Sequence, residues 1–151
     1  MLKGLNPLLS PELLYVLRSM GHRHELAIVD ANYPCDSGAP RMIRLDGIRA
    51  TDVLDAVLSV LPLERAEREV AWRMVVDGDV EKDLPIFEEF HQIIAKQEGA
   101  TIDLSSLEPT SFKERVRQAF AVIVTGERRL YGCIIVKKGL VAPDEGSVSR
   151  I

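Results

Sequence analysis

The sequence predicts an α/β fold in which a mostly parallel central sheet is covered by helices on both faces. Three observations carry this. The short, continuous apolar runs at 26–29, 121–125 and 134–136 have the composition of strands buried on both sides. Other segments place apolar residues at helical spacing, as Val53, Leu54, Val57, Leu58 and Leu61 do. The two kinds of segment alternate along the chain, with no repeat, low-complexity block or interdomain linker between them.

Taken in order, Ser10-Pro11-Glu12 is a helix start: a capping residue, then proline where the missing N–H costs nothing, then an acid in the first turn. Leu13, Leu14, Leu17 and Met20 supply its apolar face, and Gly21 ends it. A strand follows at 26–29, then a loop over 31–40 rich in Asn, Pro, Asp, Ser and Gly. A short strand at 41–45 is closed by Asp46-Gly47, and the helix carrying Val53 to Leu61 stops at Pro62. Residues 70–76 read as a strand ending at Asp77-Gly78-Asp79. Phe87, Phe90 and Ile94 mark a helix closed by Gly99, and 101–104 reads as a short strand. Ser111 and Glu114 have capping-box spacing, with Phe112, Val116, Ala119 and Phe120 forming the buried face behind them. The β-branched runs at 121–125 and 134–136 are the strongest strands, and the sequence turns polar after Gly139.

At 151 residues and 46% hydrophobic content, the chain is large and apolar enough for one packed domain, here 1–140, followed by a polar tail at 141–151. Net charge is −4 and basic residues are scattered, which argues against nucleic acid as partner. No apolar run approaches the length of a membrane span and the N-terminal residues lack a signal-peptide core, so a cytoplasmic location is expected. Cys35 and Cys133 lie in no CxxC motif and no Cys/His spacing resembles a zinc site, so thiols, and neither a metal nor a cofactor, are expected.

Chemistry must then come from a few side chains. His22 and His24 lie between a helix end and a strand, and imidazole exchanges protons near neutral pH. From the residues alone, solvated loop positions are the favoured reading of both. His91 reads as a partly exposed helix residue. Asp30 follows the apolar run 26–29, and ligands of parallel α/β sheets gather at the carboxyl ends of strands. Asp30 could equally organise the turn through Asn32-Tyr33-Pro34. Tyr131 offers a ring face and a hydroxyl, Gly126 and Gly132 suit tight turns, and Arg128-Arg129 and Lys137-Lys138 read as solvated charges.

Several stretches stand in order along the chain: Leu8-Leu9-Ser10-Pro11-Glu12-Leu13-Leu14, Met20-Gly21-His22, Asp30-Ala31, Ile43-Arg44-Leu45-Asp46-Gly47, the run from Ala119 to Glu127, and Tyr131-Gly132 followed by Lys137-Lys138-Gly139. In these the chain resembles the RbsD/FucU family of sugar mutarotases and pyranases, most closely its fucose mutarotase branch. The resemblance implies a three-layer α/β/α fold and cofactor-free interconversion of sugar anomers. It implies His22 as proton donor, with Asp30, Tyr131, Gly132 and Cys133 binding the sugar. It also implies closed homo-oligomeric rings, often decamers, with sites at subunit contacts. Two positions depart from the family pattern. Pro109 stands where sugar-binding members have Arg or His, and Cys133 where they have Asn. Proline donates no side-chain hydrogen bond and a thiol is a weak donor, so both departures fall on hydroxyl recognition and point away from a close copy of L-fucose specificity. Glu108, Thr110 and Ser111 are the polar neighbours available to compensate.

An enzyme that opens and recloses the sugar ring is therefore expected, with a non-catalytic sugar-binding protein of the same fold as the alternative and a purely structural ring subunit third. One geometric difficulty stands out. Eight residues of extended chain would separate His22 from Asp30 by about 26 Å. Either the segment at 22–25 curls back, or the two groups meet across a subunit boundary.

Overall fold

The computed structural model describes residues 2–35 and 41–142. Part of the loop expected over 31–40, and the tail from 143 onward, lie outside the described residues. The elements in chain order are α1 (Pro11–Ser19), β1 (Glu25–Val29), β2 (Met42–Leu45), α2 (Ala50–Leu58), β3 (Ala71–Met74), α3 (Pro85–Glu98), β4 (Ser105–Leu107), α4 (Pro109–Gln118), β5 (Ala121–Thr125) and β6 (Ile134–Lys137).

The strands form one six-stranded sheet in the order β2-β5-β1-β6-β3-β4. β5 is parallel to β1 and β2, and β4 is parallel to β3. β6 runs antiparallel to both β1 and β3, so β1 to β5 all point one way and only β6 is reversed. The carboxyl ends of β1 and β5 therefore share an edge of the sheet with the start of β6, and its end lies at the opposite edge beside the start of β1.

Side chains alternate across the sheet and divide the core in two. Leu26, Ile28, Ala121, Ile123, Ile134 and Val136 pack against α1, α2 and α3. Ala27, Val29, Val122, Val124 and Ile135 face the other way, against Phe112, Val116 and Ala119 from α4. This is the expected three-layer α/β/α arrangement, with three helices on one face and one on the other. The fully buried Phe87, Phe90 and Phe112 anchor these layers, each contributing about 1.5–3 kcal/mol through burial.

Local signals explain most element ends. Ser10 caps α1, its hydroxyl accepting from the Leu13 N–H at 3.2 Å. Gly99 ends α3 in the left-handed region at φ 66°. Other ends differ from expectation. α1 stops at Met20 in extended conformation, one residue before Gly21. β4 occupies Ser105–Leu107 rather than 101–104, because pairing with β3 selects Trp72↔Ser105 to Met74↔Leu107 even though Ser105 and Ser106 are poor strand formers. α4 starts at Pro109 with Glu108 as cap residue, so Ser111 sits inside the first turn and no Ser111–Glu114 capping box forms. The fixed φ of Pro109 and its missing N–H suit the first helical position and move the start upstream.

Candidate active site

The carboxyl edge of the sheet gathers four of the five residues singled out by sequence. Asp30 directly follows β1 and is only 8% exposed. Its Oδ1 accepts from the Asn32 N–H at 2.9 Å, fixing the turn. Its Oδ2 accepts from the Cys133 thiol at 3.2 Å, and its own N–H donates to Cys133 Sγ at 3.3 Å. Burial, then the Asp30 carboxylate, push the Cys133 thiol well above the ordinary cysteine range. Cys133 is thus a buried neutral partner of Asp30.

Tyr131 and Gly132 reach the same edge through the loop that enters β6. The Tyr131 hydroxyl donates to Asp77 Oδ1 at 2.7 Å and accepts from the Asp77 N–H at 3.3 Å. Both residues have left-handed backbones, φ 61° for Tyr131 and 52° for Asp77, a conformation costing on the order of 1 kcal/mol or more for a non-glycine residue. Lys82, then Tyr131, hold the Asp77 carboxyl below its ordinary range. Gly132 is buried, and a Cβ there would lie 2.6 Å from Glu127 Cγ and 3.0 Å from the Arg129 carbonyl. Gly126 is needed for the same reason, since a Cβ would come within 2.4 Å of the Gly47 nitrogen. Neither glycine has a positive φ, so close approach, rather than a special turn, requires them.

Two features of this edge were not anticipated. Tyr33 packs edge-on against Phe112 at 6.5 Å, and burial, then Cys133, raise its phenol to about 12. Arg129 is half-buried, joining Glu127 at 2.9 Å and Glu89 of α3 at 2.6 Å, which ties the loop ahead of Tyr131 to the helical layer. The expectation of solvated charges holds for Arg128 but not for Arg129. Nor does it hold for Lys137, which pairs with Glu67 at 2.6 Å, or for Lys138, whose ammonium donates to the Met20 carbonyl at the end of α1.

His22 lies at the other edge. Gly21 to His24 form a turn, and backbone bonds from Arg23 N–H to the Lys138 carbonyl at 2.8 Å and from Lys138 N–H to the His24 carbonyl at 2.9 Å pin it beside the end of β6. The five residues of β1 then separate this turn from Asp30 by about 16 Å of strand. The segment does not curl back, and within one chain His22 and Asp30 do not meet. His22 instead lines a cleft of ≈ 380 Å³ with Leu14, Leu17, Leu61, Pro62 and Lys138. Its Nε2 hydrogen-bonds the buried carboxylate of Glu64. His24 is differently placed: its Nδ1 accepts from the Gly21 N–H at 2.9 Å and its ring stacks on Phe120 at 4.7 Å. His91 is a half-buried residue of α3. Glu64 was not singled out by sequence, because its partner lies 42 positions away and nothing local marks it.

Pro109 opens α4 and offers no donor, while Thr110 and Ser111 line a depression with Glu25, Glu114 and Arg115. Among the described residues, no group of three or more His, Cys, Asp or Glu side chains is placed to hold a metal ion, and no helix is long and apolar enough to cross a membrane.

A parallel-type sheet with one reversed strand, covered on both faces and carrying a polar cluster at its carboxyl edge, defines an α/β protein of the kind that binds small ligands at a sheet edge. The sequence matches the RbsD / FucU transport protein family over residues 3–141, and the chain belongs to that family. It is 42% identical to the fucose mutarotase of Danio rerio over 150 residues, covering 95% of this chain and 97% of the other. It is equally 42% identical to the Homo sapiens fucose mutarotase over 148 residues, with 93% and 95% covered. The crystal structure of the Streptococcus pneumoniae fucose mutarotase in complex with L-fucose superimposes with a TM-score of 0.83 at 38% identity, covering 93% of this chain and 100% of that one.

Proposed function

We propose that this chain is a monosaccharide mutarotase, an isomerase that interconverts the anomers of L-fucose or a closely related aldose by opening and reclosing the sugar ring. Near-full-length identity with fucose mutarotases of two vertebrates supports the activity. The geometric observation that carries it is an accessible imidazole, His22, held by a buried carboxylate at the wall of a cleft.

Ring opening needs a proton delivered to the ring oxygen and another removed from the anomeric hydroxyl. The bond between the anomeric carbon and the ring oxygen breaks, and the anomeric carbon becomes a carbonyl. Reclosure on the other face reverses both transfers, so no electrons are gained or lost. Positioned acid–base groups contribute about 10²–10⁴-fold to such steps. His22 is the proton-exchanging group. Asp30 accepts hydrogen bonds from sugar hydroxyls, and the Tyr131-Gly132-Cys133 segment frames the pocket beside it. With the Cys133 thiol engaged by Asp30 and Pro109 offering no donor, hydroxyl recognition rests chiefly on Asp30 and Tyr131.

Because His22 and Asp30 lie at opposite edges of the sheet, a complete site joins the His22 edge of one copy to the Asp30 edge of another. The assembly is then a closed homo-oligomeric ring, with ten copies as the family resemblance implies. The buried thiol of Cys133 is in keeping with a cytoplasmic location.

Saturation-transfer NMR on L-fucose, D-galactose and D-ribose tests the reading. Added protein should accelerate exchange between the anomers of at least one sugar, and His22→Ala should abolish the acceleration while preserving the fold. Sugar binding with unchanged exchange would make the chain a binding protein. Full activity in His22→Ala would remove His22 from its role.

A further inference from the structure

The two neighbouring histidines are held by different atoms. His24 uses Nδ1 to accept from the Gly21 N–H, so its ring is committed to its own turn and to Phe120. His22 is bound through Nε2, by Glu64. Glu64 is itself held on every side. Its Oε1 accepts from the Arg65 and Ala66 N–H groups, each at 2.8 Å. Its Oε2 meets His22 and lies 3.8 Å from Arg23 Nε, and Arg23 is pinned in turn by Glu67 at 2.9 Å. The backbone is fixed too, with Glu64 N–H donating to the Lys137 carbonyl at 3.0 Å. The carboxylate is only 5% exposed, whereas the His22 side chain is 36% exposed.

We infer that Glu64 is a positioning residue, which clamps the His22 ring in the Nε2–H tautomer and leaves Nδ1 as the atom that exchanges protons with the sugar. This rests on the proposed role of His22. The Ala66 N–H, then His22, hold the Glu64 carboxyl down at about 2, so near neutral pH it is ionised and only accepts hydrogen bonds. A fixed acceptor at one ring nitrogen requires that nitrogen to carry the proton, and in the neutral ring the other nitrogen is then the base. During turnover Nδ1 takes the anomeric hydroxyl proton or returns one to the ring oxygen, while the proton on Nε2 stays in place. The anionic partner also steadies the imidazolium formed between the two transfers, as carboxylates do beside catalytic histidines elsewhere.

Solid-state ¹⁵N spectra of histidine-labelled protein, read against His22→Ala to assign the ring, report the tautomer directly. The wild-type neutral ring should show protonated Nε2 and bare Nδ1. Glu64→Gln should mix the tautomers and slow anomer exchange by about 10–100-fold, mainly through kcat, with KM little changed. A wild-type ring protonated on Nδ1 would overturn the inference, and so would a Glu64→Gln protein with wild-type rate and tautomer. If Glu64→Gln fails to fold, the wild-type spectrum still decides. Should His22→Ala keep its activity, the role of His22 fails, and the wild-type spectrum still shows whether Glu64 sets the ring.

Discussion

A thiol reacts as its thiolate, and Cys133 is kept from forming one by burial and by the Asp30 carboxylate beside it. In a Cys35→Ser background the remaining thiol should therefore be alkylated on the order of 100-fold more slowly in the folded protein than in denaturant. Rapid labelling under native conditions would show that Cys133 is open to solvent and available to a sugar directly. The same pairing explains what the sequence revealed of the site. Asp30 and Tyr131 were legible because each adjoins a recognisable apolar run, and position along the chain told where strands end. The thiol of Cys133 was visible as a residue type, but its engagement with Asp30 was not, since the pair is 103 positions apart. Glu64 and Arg129 were missed because their roles arise from contacts made only in the folded chain.

At the scale of elements, the loop entering β6 is held by close backbone packing. Gly126 follows β5 and touches the Gly47 turn that closes β2, and its N–H donates to the Ile48 carbonyl at 2.8 Å. Gly126→Ala would drive a methyl into that backbone, so a loss of about 1–3 kcal/mol is expected, seen as a fall of roughly 2–12 °C in melting temperature. An unchanged melting temperature would mean that the two turns are not in contact. β1, β5 and β6 were readable because strands buried on both faces are written as short continuous apolar runs. β4 was not, because Ser105 and Ser106 carry no strand signal and only pairing with β3 makes them one. The start of α4 was misplaced because two valid start signals lie two residues apart, and the proline at 109 prevails over the serine at 111.

At the scale of the whole molecule, the reversal of β6 brings Tyr131 to Cys133 beside Asp30 and leaves His22 at the far end of the same strand pair. Neither group can move to the other without dismantling β1, which pairs with β5 through Leu26–Val29 and with β6 through Glu25–Ile28. If one copy supplies His22 and another supplies Asp30, two inactive variants should restore each other. His22→Ala lacks the proposed proton-exchanging group, and Asp30→Asn lacks the carboxylate while keeping an acceptor for the Asn32 N–H. When the two are unfolded together and reassembled in equal amounts, a site is intact if its His22 comes from the Asp30→Asn chain and its Asp30 from the His22→Ala chain. Random assembly gives about one quarter intact sites, so about a quarter of wild-type exchange should return from two silent parents. Sites built within one chain would yield none. A mixture shown by native mass spectrometry to contain both variants in one assembly, yet silent towards every sugar turned over by the wild type, would rule out a shared site.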